Sequence, residues 1–375
     1  MEYTRRKVMA VGAATIATGL AGCSESESGG DGTDTAGTES NGSGSYTVSM
    51  APVGEVQFDA PPESVAHYFP DYADMAVALG KGSTINSIGM PSRYHTTHYD
   101  ALEGVSVDME SVTKLNGESG IPKEIFFKLD SDLHMIDPQW LISNDAFKLE
   151  SSDIEEITDR VAPFLGNAIF RQTDKWHDYE YYTLYEAFEK VATVYQETER
   201  FEQLKTFHDD YVGEIESQLP EERPNALLCW QGEDEPESFS PYRLGGKGTN
   251  KKAFHDIGLT DALEGTDVEG LSESSRGTID YETLAQVDPD SILLRGHEAK
   301  TQEEFQNTVV AFMKEHPVAS KLTAVQNDKV FRGGPIYPGP LHHLFLVERY
   351  ATSYYPDTFS GELFDRSELT SIITG

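Results

Sequence analysis

The stretch that decides the fold is Tyr179–Leu219, YEYYTLYEAFEKVATVYQETERFEQLKTFHDDYVGEIESQL. Its 41 residues contain no proline and one glycine, Gly213. Leu184, Phe188, Val191 and Tyr195 recur at helical spacing, and so do Leu204, Phe207, Tyr211 and Ile215. Unbroken, such a helix would span ~60 Å at ~1.5 Å per residue. One long helix or two abutting ones are expected, the break falling near Gln196–Thr198, with the second stretch as a strut between lobes. A coiled-coil partner face is the alternative, but the heptads are few and the flanks are rich in strands.

Working outward, both flanks share one grammar. On the N-terminal side, strands are expected at Ser64–Phe69, Ile85–Met90, Asp132–Asp137 and Val161–Leu165, alternating with helices at Asp71–Leu79, Glu124–Lys128 and Asp153–Arg160. On the C-terminal side, strands are expected at Asn225–Trp230, Ser291–Leu294 and Lys329–Arg332. The helices between and after them fall at Thr249–Ile257, Tyr281–Gln286, Phe305–Glu315 and Leu341–Tyr355. Strands alternating with helices mean parallel sheets covered on both faces. The expected fold class is therefore α/β: two lobes, each a mostly parallel sheet flanked by helices, joined by a long rigid interdomain helix. The expected divisions are 46–178 for the first lobe, 179–219 for the connecting region and 220–375 for the second lobe.

The chain of 375 residues begins with a different kind of segment. Arg5, Arg6 and Lys7 precede an apolar or small run from Val8 to Gly22, too short for the ~20 residues of a membrane span. A charged head, a short apolar middle and a small-residue end form an export signal. Thr4–Met9 resembles a twin-arginine signal, and Leu20-Ala21-Gly22-Cys23 resembles a lipobox. Residues 1–22 are thus expected to be a leader, with Cys23 the lipidation point. Residues 23–45, almost wholly Ser, Glu, Gly, Asp and Thr after the cysteine, are expected to be a flexible acidic linker. The protein would then sit on the outer face of the cytoplasmic membrane.

Charge bounds the partners. Sixty-four acidic residues against 29 basic ones leave a net charge of −35, which argues against binding nucleic-acid phosphates. Adaptation to high salt is the plain explanation. The chain has two cysteines; with Cys23 lipidated, Cys229 is alone, which excludes a disulfide framework or a cysteine metal site. Cys229 lies in the apolar run Ala226–Trp230 and reads as an inert buried strand thiol.

Ligands of open α/β sheets bind beyond the carboxyl ends of the strands. The loops expected there carry Tyr72, Arg93, Tyr94, His95 and Trp140 in the first lobe, and Trp230, Tyr242, Arg243, Arg276, Tyr337 and His342 in the second. Arginine offers a planar donor fork to anions, and tyrosine and tryptophan offer flat apolar faces with a polar tip. Together they suit a bulky anionic chelate; for each arginine alone, a solvated ion pair is the alternative. His95 and His98 form a His-X-X-His loop beside Tyr94 and Tyr99, but no carboxylate-rich partner motif is in register, so no direct metal site is assigned. There is no Gly-X-Ser-X-Gly, no His-Glu-X-X-His and no glycine-rich phosphate loop, which leaves little for a surface hydrolase.

Several short pieces, in order, resemble one family. They are Pro61–Val65 with Ala78-Leu79-Gly80, Ile121–Ile125 followed by Leu129–Leu133, Ile279–Leu284 followed by Asp288-Pro289-Asp290, and His316-Pro317 followed by Leu322–Phe331. This pattern, covering nearly all of the chain after Tyr46, resembles the substrate-binding proteins of ABC importers for iron–siderophore complexes, haem and cobalamin. Ser131 stands where the family's proline is usual. The resemblance implies a binding protein with no chemistry and no cofactor, a monomer that delivers a small-molecule metal chelate to a permease and ATPase complex. It also implies that Glu124 and Glu282, each eight residues before an aspartate, dock on permease arginines. Ordinary helix-start glutamates, favoured by the macrodipole, are the alternative.

Overall fold

The computed structural model describes residues 44–270 and 277–375. The chain opens with an antiparallel hairpin, β1 (Tyr46–Met50) and β2 (Gly54–Phe58), paired from Tyr46↔Phe58 to Met50↔Gly54. Val48, Met50, Val56 and Phe58 alternate onto one buried face, as a period of two requires. The first lobe continues with β3 (Val65–His67), α1 (Pro70–Ala78), β4 (Ile85–Ile88), β5 (Thr113–Lys114), α2 (Glu124–Leu129), β6 (Leu133–Met135), α3 (Pro138–Ser143) and α4 (Ser151–Arg160). Its sheet runs β5-β4-β3-β6, all parallel. The strand expected at Val161–Leu165 shrinks to one parallel bridge, His134↔Phe164, because Pro163 has no N–H to extend the ladder.

All nine residues of α1 are buried, which marks a helix enclosed on every side. Proline at its first position and Gly80 at φ 71° after Leu79 set its ends.

Of the two forms considered for residues 179–219, the structure has two helices. They are α5 (Leu184–Tyr195), opened by a Thr183/Glu186 capping box, and α6 (Thr198–Gln218). Gln196, at φ 57° and ψ 36°, adopts the left-handed conformation and reverses the chain. The Tyr185 ring lies 4.2 Å from His208 and the Phe188 ring 5.2 Å from Phe201. In a straight helix residues 185 and 208 would stand ~35 Å apart. The unbroken ~60 Å span is therefore absent: α5 packs back on the first lobe, and α6 alone, ~31 Å long, carries the chain to the second.

The second lobe comprises β7 (Asn225–Trp230), β8 (Ser240–Tyr242), α7 (Thr249–Asp256), β9 (Thr260–Asp261), α8 (Tyr281–Val287), β10 (Ser291–Arg295), α9 (Gln302–Phe305), a π-helical turn at Gln306–Val310, α10 (Ala311–Glu315), α11 (Thr323–Gln326), β11 (Val330–Arg332), α12 (Pro340–Tyr354) and α13 (Arg366–Thr374). β11, β10 and β7 are parallel; on the far side of β7, β9 pairs parallel and β8 antiparallel. Alternate strand residues face two separate cores: Ala226, Leu228 and Leu293 on one side, Leu227, Cys229, Ile292 and Leu294 on the other. Each fully buried Leu or Ile there contributes roughly 1.5–3 kcal/mol. Cys229 is fully buried and free, and burial pushes its thiol pKa well up.

The lobes meet where α1 touches the start of α12. Buried Asp74 accepts from the backbone N–H of Leu341 (2.8 Å) and His342 (3.2 Å), capping α12 across the lobe boundary. Gly339 allows that approach, since a Cβ there would lie 2.4 Å from Asp74.

Candidate functional site

The carboxyl ends of both sheets open onto one cleft of about 460 Å³. From the first lobe, Tyr68 follows β3, Arg93 follows β4, Asn116 follows β5 and Trp140 lies on α3 after β6. Phe170 and Arg171 follow the Phe164 bridge. From the second lobe come Trp230 at the end of β7, Tyr242 on β8, Asn250 in the first turn of α7, and Tyr337 after β11. Asp137 holds the Trp140 helix in place. Its carboxylate accepts from Gln139 N and Ala168 N, at 2.9 and 2.8 Å. Burial still pushes its pKa up to about 6.

The walls touch through Arg93. Its guanidinium carbon lies 5.6 Å from the Trp230 ring centre, and its Nη1 donates to the Tyr337 hydroxyl at 3.4 Å. Tyr337 packs its ring 4.9 Å from Phe170, and Trp140 lies 5.5 Å from the same phenylalanine. Burial pushes the Tyr337 phenol well up, so it stays protonated and neutral. Arg171 pairs with Asp174 at 2.9 Å and stacks over Phe170, while its Nε is buried without a partner. Both amide atoms of Asn250, a residue 4% exposed, are likewise unpartnered, and so is Asn116 Oδ1. Buried polar atoms in this state are available to a guest.

The charge of the walls stands apart from that of the chain. Among the described lining residues are two arginines and no carboxylate, in a protein with 64 acidic residues. A side chamber of about 260 Å³ shares Arg171, Tyr242 and Asn250 with the cleft and adds Arg243 and Lys251. Lys251 is 2% exposed, and burial first, then the charge of Arg295, lowers its pKa to about 8. It is protonated at neutral pH, feels the charge of Asp261, and donates a long 3.5 Å contact to the Lys247 carbonyl.

Five of the residues expected at the site line the cleft: Arg93, Trp140, Trp230, Tyr242 and Tyr337. Four others do not. Tyr72 is fully buried and bonded to Asn167, because α1 turns that face into the core. Tyr94 is buried with its hydroxyl 2.8 Å from Tyr99. His342 is buried between the lobes, stacked on His98 at 4.3 Å. Half-buried His95 is outside the cleft lining, in the field of Glu298 and Arg349; burial lowers its pKa. Arg243 lines the side chamber but spends its fork on the carbonyls of Leu263 and Thr266, so it is not a free clamp. Arg276 and Cys23 lie outside the described residues. Glu124 and Glu282 are exposed in the first turns of α2 and α8, helices that precede β6 and β10 in the two sheets. The residues missed, Tyr68, Asn116, Phe170, Arg171 and Asn250, mostly follow strands. The loop after Phe164 carried that signal.

Two parallel-sheet lobes joined through α6, with a cleft at the carboxyl ends of both sheets, define the class of two-lobed α/β binding proteins. Residues 65–337 match the family described as "Periplasmic binding protein", and the chain belongs to that family. A search of curated proteins finds no significant relative. Among solved structures, a periplasmic binding protein from Veillonella parvula shares 13% identity over 84% of this chain and 99% of its own, with a TM-score of 0.60. The petrobactin-binding protein YclQ from Bacillus subtilis shares 12% over 88% and 99%, with 0.55. Nickel-bound CeuE from Helicobacter pylori shares 13% over 84% and 90%, with 0.56. At such identities the likeness is one of fold. No helix among the described residues is long and apolar enough to cross a membrane.

Proposed function

We propose that this protein captures a bulky anionic metal chelate, of the iron(III)–siderophore kind, and delivers it to an ABC permease and ATPase. The single observation that carries this reading is a cleft whose described lining holds two arginines and no carboxylate, in a strongly acidic chain. Arginine forks take carboxylate or catecholate oxygens, and the indole and phenol faces cover the organic part of the chelate. That a similar structure is named for petrobactin and another holds nickel agrees with a metal-linked cargo. Cobalamin and haem are the second choice within the class, favoured by the aromatic walls alone. The protein acts without catalysis and without a cofactor.

In this reading the chain is exported by its twin-arginine leader and held by lipid at Cys23, with residues 24–45 as leash. The lobes comprise 46–178 and 220–375 around the connecting segment 179–219, and the protein works as a monomer at the outer face of the membrane. Glu124 and Glu282 dock on the permease. The formal net charge of −35 over the whole chain fits a high-salt habitat; full stability in dilute buffer would count against that. Titrating tryptophan fluorescence with iron(III)–citrate, a ferric catecholate, a ferric hydroxamate, cyanocobalamin and haem tests the cargo, since Trp140 and Trp230 line the cleft. An anionic ferric chelate is expected to quench at the lowest concentration. Tighter binding of cyanocobalamin or haem would replace the proposal with the second choice.

A further inference from the structure

Where α6 meets the second lobe, three side chains from three helices converge: His208 on α6, Asp256 at the end of α7 and His343 on α12. One ligand atom from each lies within 4.8 Å of the others. None of the three lines the cleft. His343 is fully buried; its Nε2 stands 2.8 Å from Asp256 Oδ2 but out of line for a hydrogen bond, and neither ring nitrogen has a hydrogen-bond partner. His208 is 5% exposed. Its Nδ1 meets Asp209 Oδ1 at 2.8 Å, while its Nε2 is buried and unpartnered. For His208, the Asp209 carboxylate on Nδ1 fixes the tautomer and frees the Nε2 lone pair, the arrangement that orients metal-binding histidines; for His343, an ion would enter between Nε2 and Asp256 Oδ2 and replace their direct contact. Lys252 donates to both Asp256 oxygens, at 3.0 and 2.8 Å. A cation therefore already stands against this carboxylate.

From this geometry we infer that His208, Asp256 and His343 form a site for a divalent first-row metal ion, which pins the connecting helix α6 to α7 and α12. Two imidazoles and one carboxylate suit zinc, cobalt or nickel better than calcium or magnesium. The ligands come from helices rather than loops, so the ion would fasten one junction of the framework and leave the cleft untouched. Lys252 compensates Asp256 in the metal-free protein and gives way when a dication binds.

The test uses the full chain stripped by chelator and titrated with Co²⁺ and Zn²⁺. Stoichiometry is read by equilibrium dialysis, coordination by the visible absorption of Co²⁺, and coupling to the fold by Tm. One equivalent should bind and raise Tm. His208→Gln and His343→Gln should each weaken binding by more than the roughly 10–100-fold that loss of an outer-shell partner costs. Lys252→Met should tighten it by removing the competing cation. This variant keeps the test decisive where a histidine variant fails to fold. No stoichiometric binding, retention of binding by both histidine variants, or unchanged or weaker binding by Lys252→Met would each overturn the site.

Discussion

In the first lobe, α2 ends on Asp130 at φ 49° and Asp132 accepts from the backbone of Glu63 and Ser64, both at 2.9 Å. In the second, α8 ends on Asp288 at φ 40° and Asp290 accepts from the backbone of Asn225 at 3.0 Å. The same joint fastens a helix end to the start of a neighbouring strand in both lobes. Between the paired aspartates the lobes differ. Pro289 stiffens the second joint, and Asn225 adds a reciprocal pair to Asp290. Ser131 in the first joint accepts from Asn86, which also donates to Ser64, tying the starts of β3, β4 and β6 together. The aspartate carries the backbone geometry, and the residue between is free to serve its own sheet. The walls of the cleft diverge further. The first lobe supplies both cleft arginines, Arg93 and Arg171, beside the aromatics Tyr68, Trp140 and Phe170, whereas the second supplies the aromatics Trp230, Tyr242 and Tyr337, with Arg243 and Lys251 in the side chamber.

The strongest way to break this symmetry is at the contact between the lobes. Asp74→Ala leaves the α12 N–H groups and His98 without their buried acceptor and should cost about 3–5 kcal/mol in denaturant unfolding. Burial pushes the Asp74 carboxyl up, but the bonds and charge of His98 outweigh it and hold the pKa below the ordinary value. Its stabilisation is therefore present above the unfolded carboxylate pKa and lost as pH falls through the folded one. The variant should accordingly show a flatter acid-unfolding profile.

A smaller effect separates the two joints. Asp290→Ala, which removes a half-buried carboxylate that accepts from both the backbone and the side chain of Asn225, should cost about 1.5–3 kcal/mol, and Asp132→Ala, at an exposed joint, less. Equal losses would show that the differences around Ser131 and Pro289 are energetically idle.

The chambers can be compared by pH. Lys251 titrates near pH 8, so affinity for an anionic chelate should fall between pH 7 and pH 9 as that charge is lost. Lys251→Met should bind more weakly at pH 7 and lose this pH dependence. The smallest effect on binding belongs to Glu124→Ala with Glu282→Ala. Chelate affinity should be unchanged while uptake in membrane vesicles is crippled; intact uptake would return both residues to ordinary helix-start glutamates.

Much of this was legible in the sequence because it rests on local spacing. The eight-residue interval from Glu124 to Asp132 and from Glu282 to Asp290 marks the repeated joint, and the strand at Asn225–Trp230 falls where its apolar run does. The break near Gln196–Thr198 was legible too, but not that the chain folds back there, since glutamine in a left-handed cap carries no glycine signature. The β1–β2 hairpin hid for the same reason: its turn, Ala51-Pro52-Val53, lacks the Asn-Gly or Asp-Gly signal. Tyr72 and His342 sit at strand-end loops and helix starts like true cleft residues, and only packing decides that they face inward.

The proposed function requires that the cleft select for negative charge through the arginines of the first lobe. Calorimetric titration with two ferric chelates of matched size, one anionic and one neutral, tests it on the wild type and on Arg93→Gln with Arg171→Gln. At least ~10-fold preference for the anionic chelate, about 1.4 kcal/mol, is expected in the wild type and should be abolished in the double variant. Equal affinity for the two chelates, or a preference that survives loss of both arginines, would contradict it.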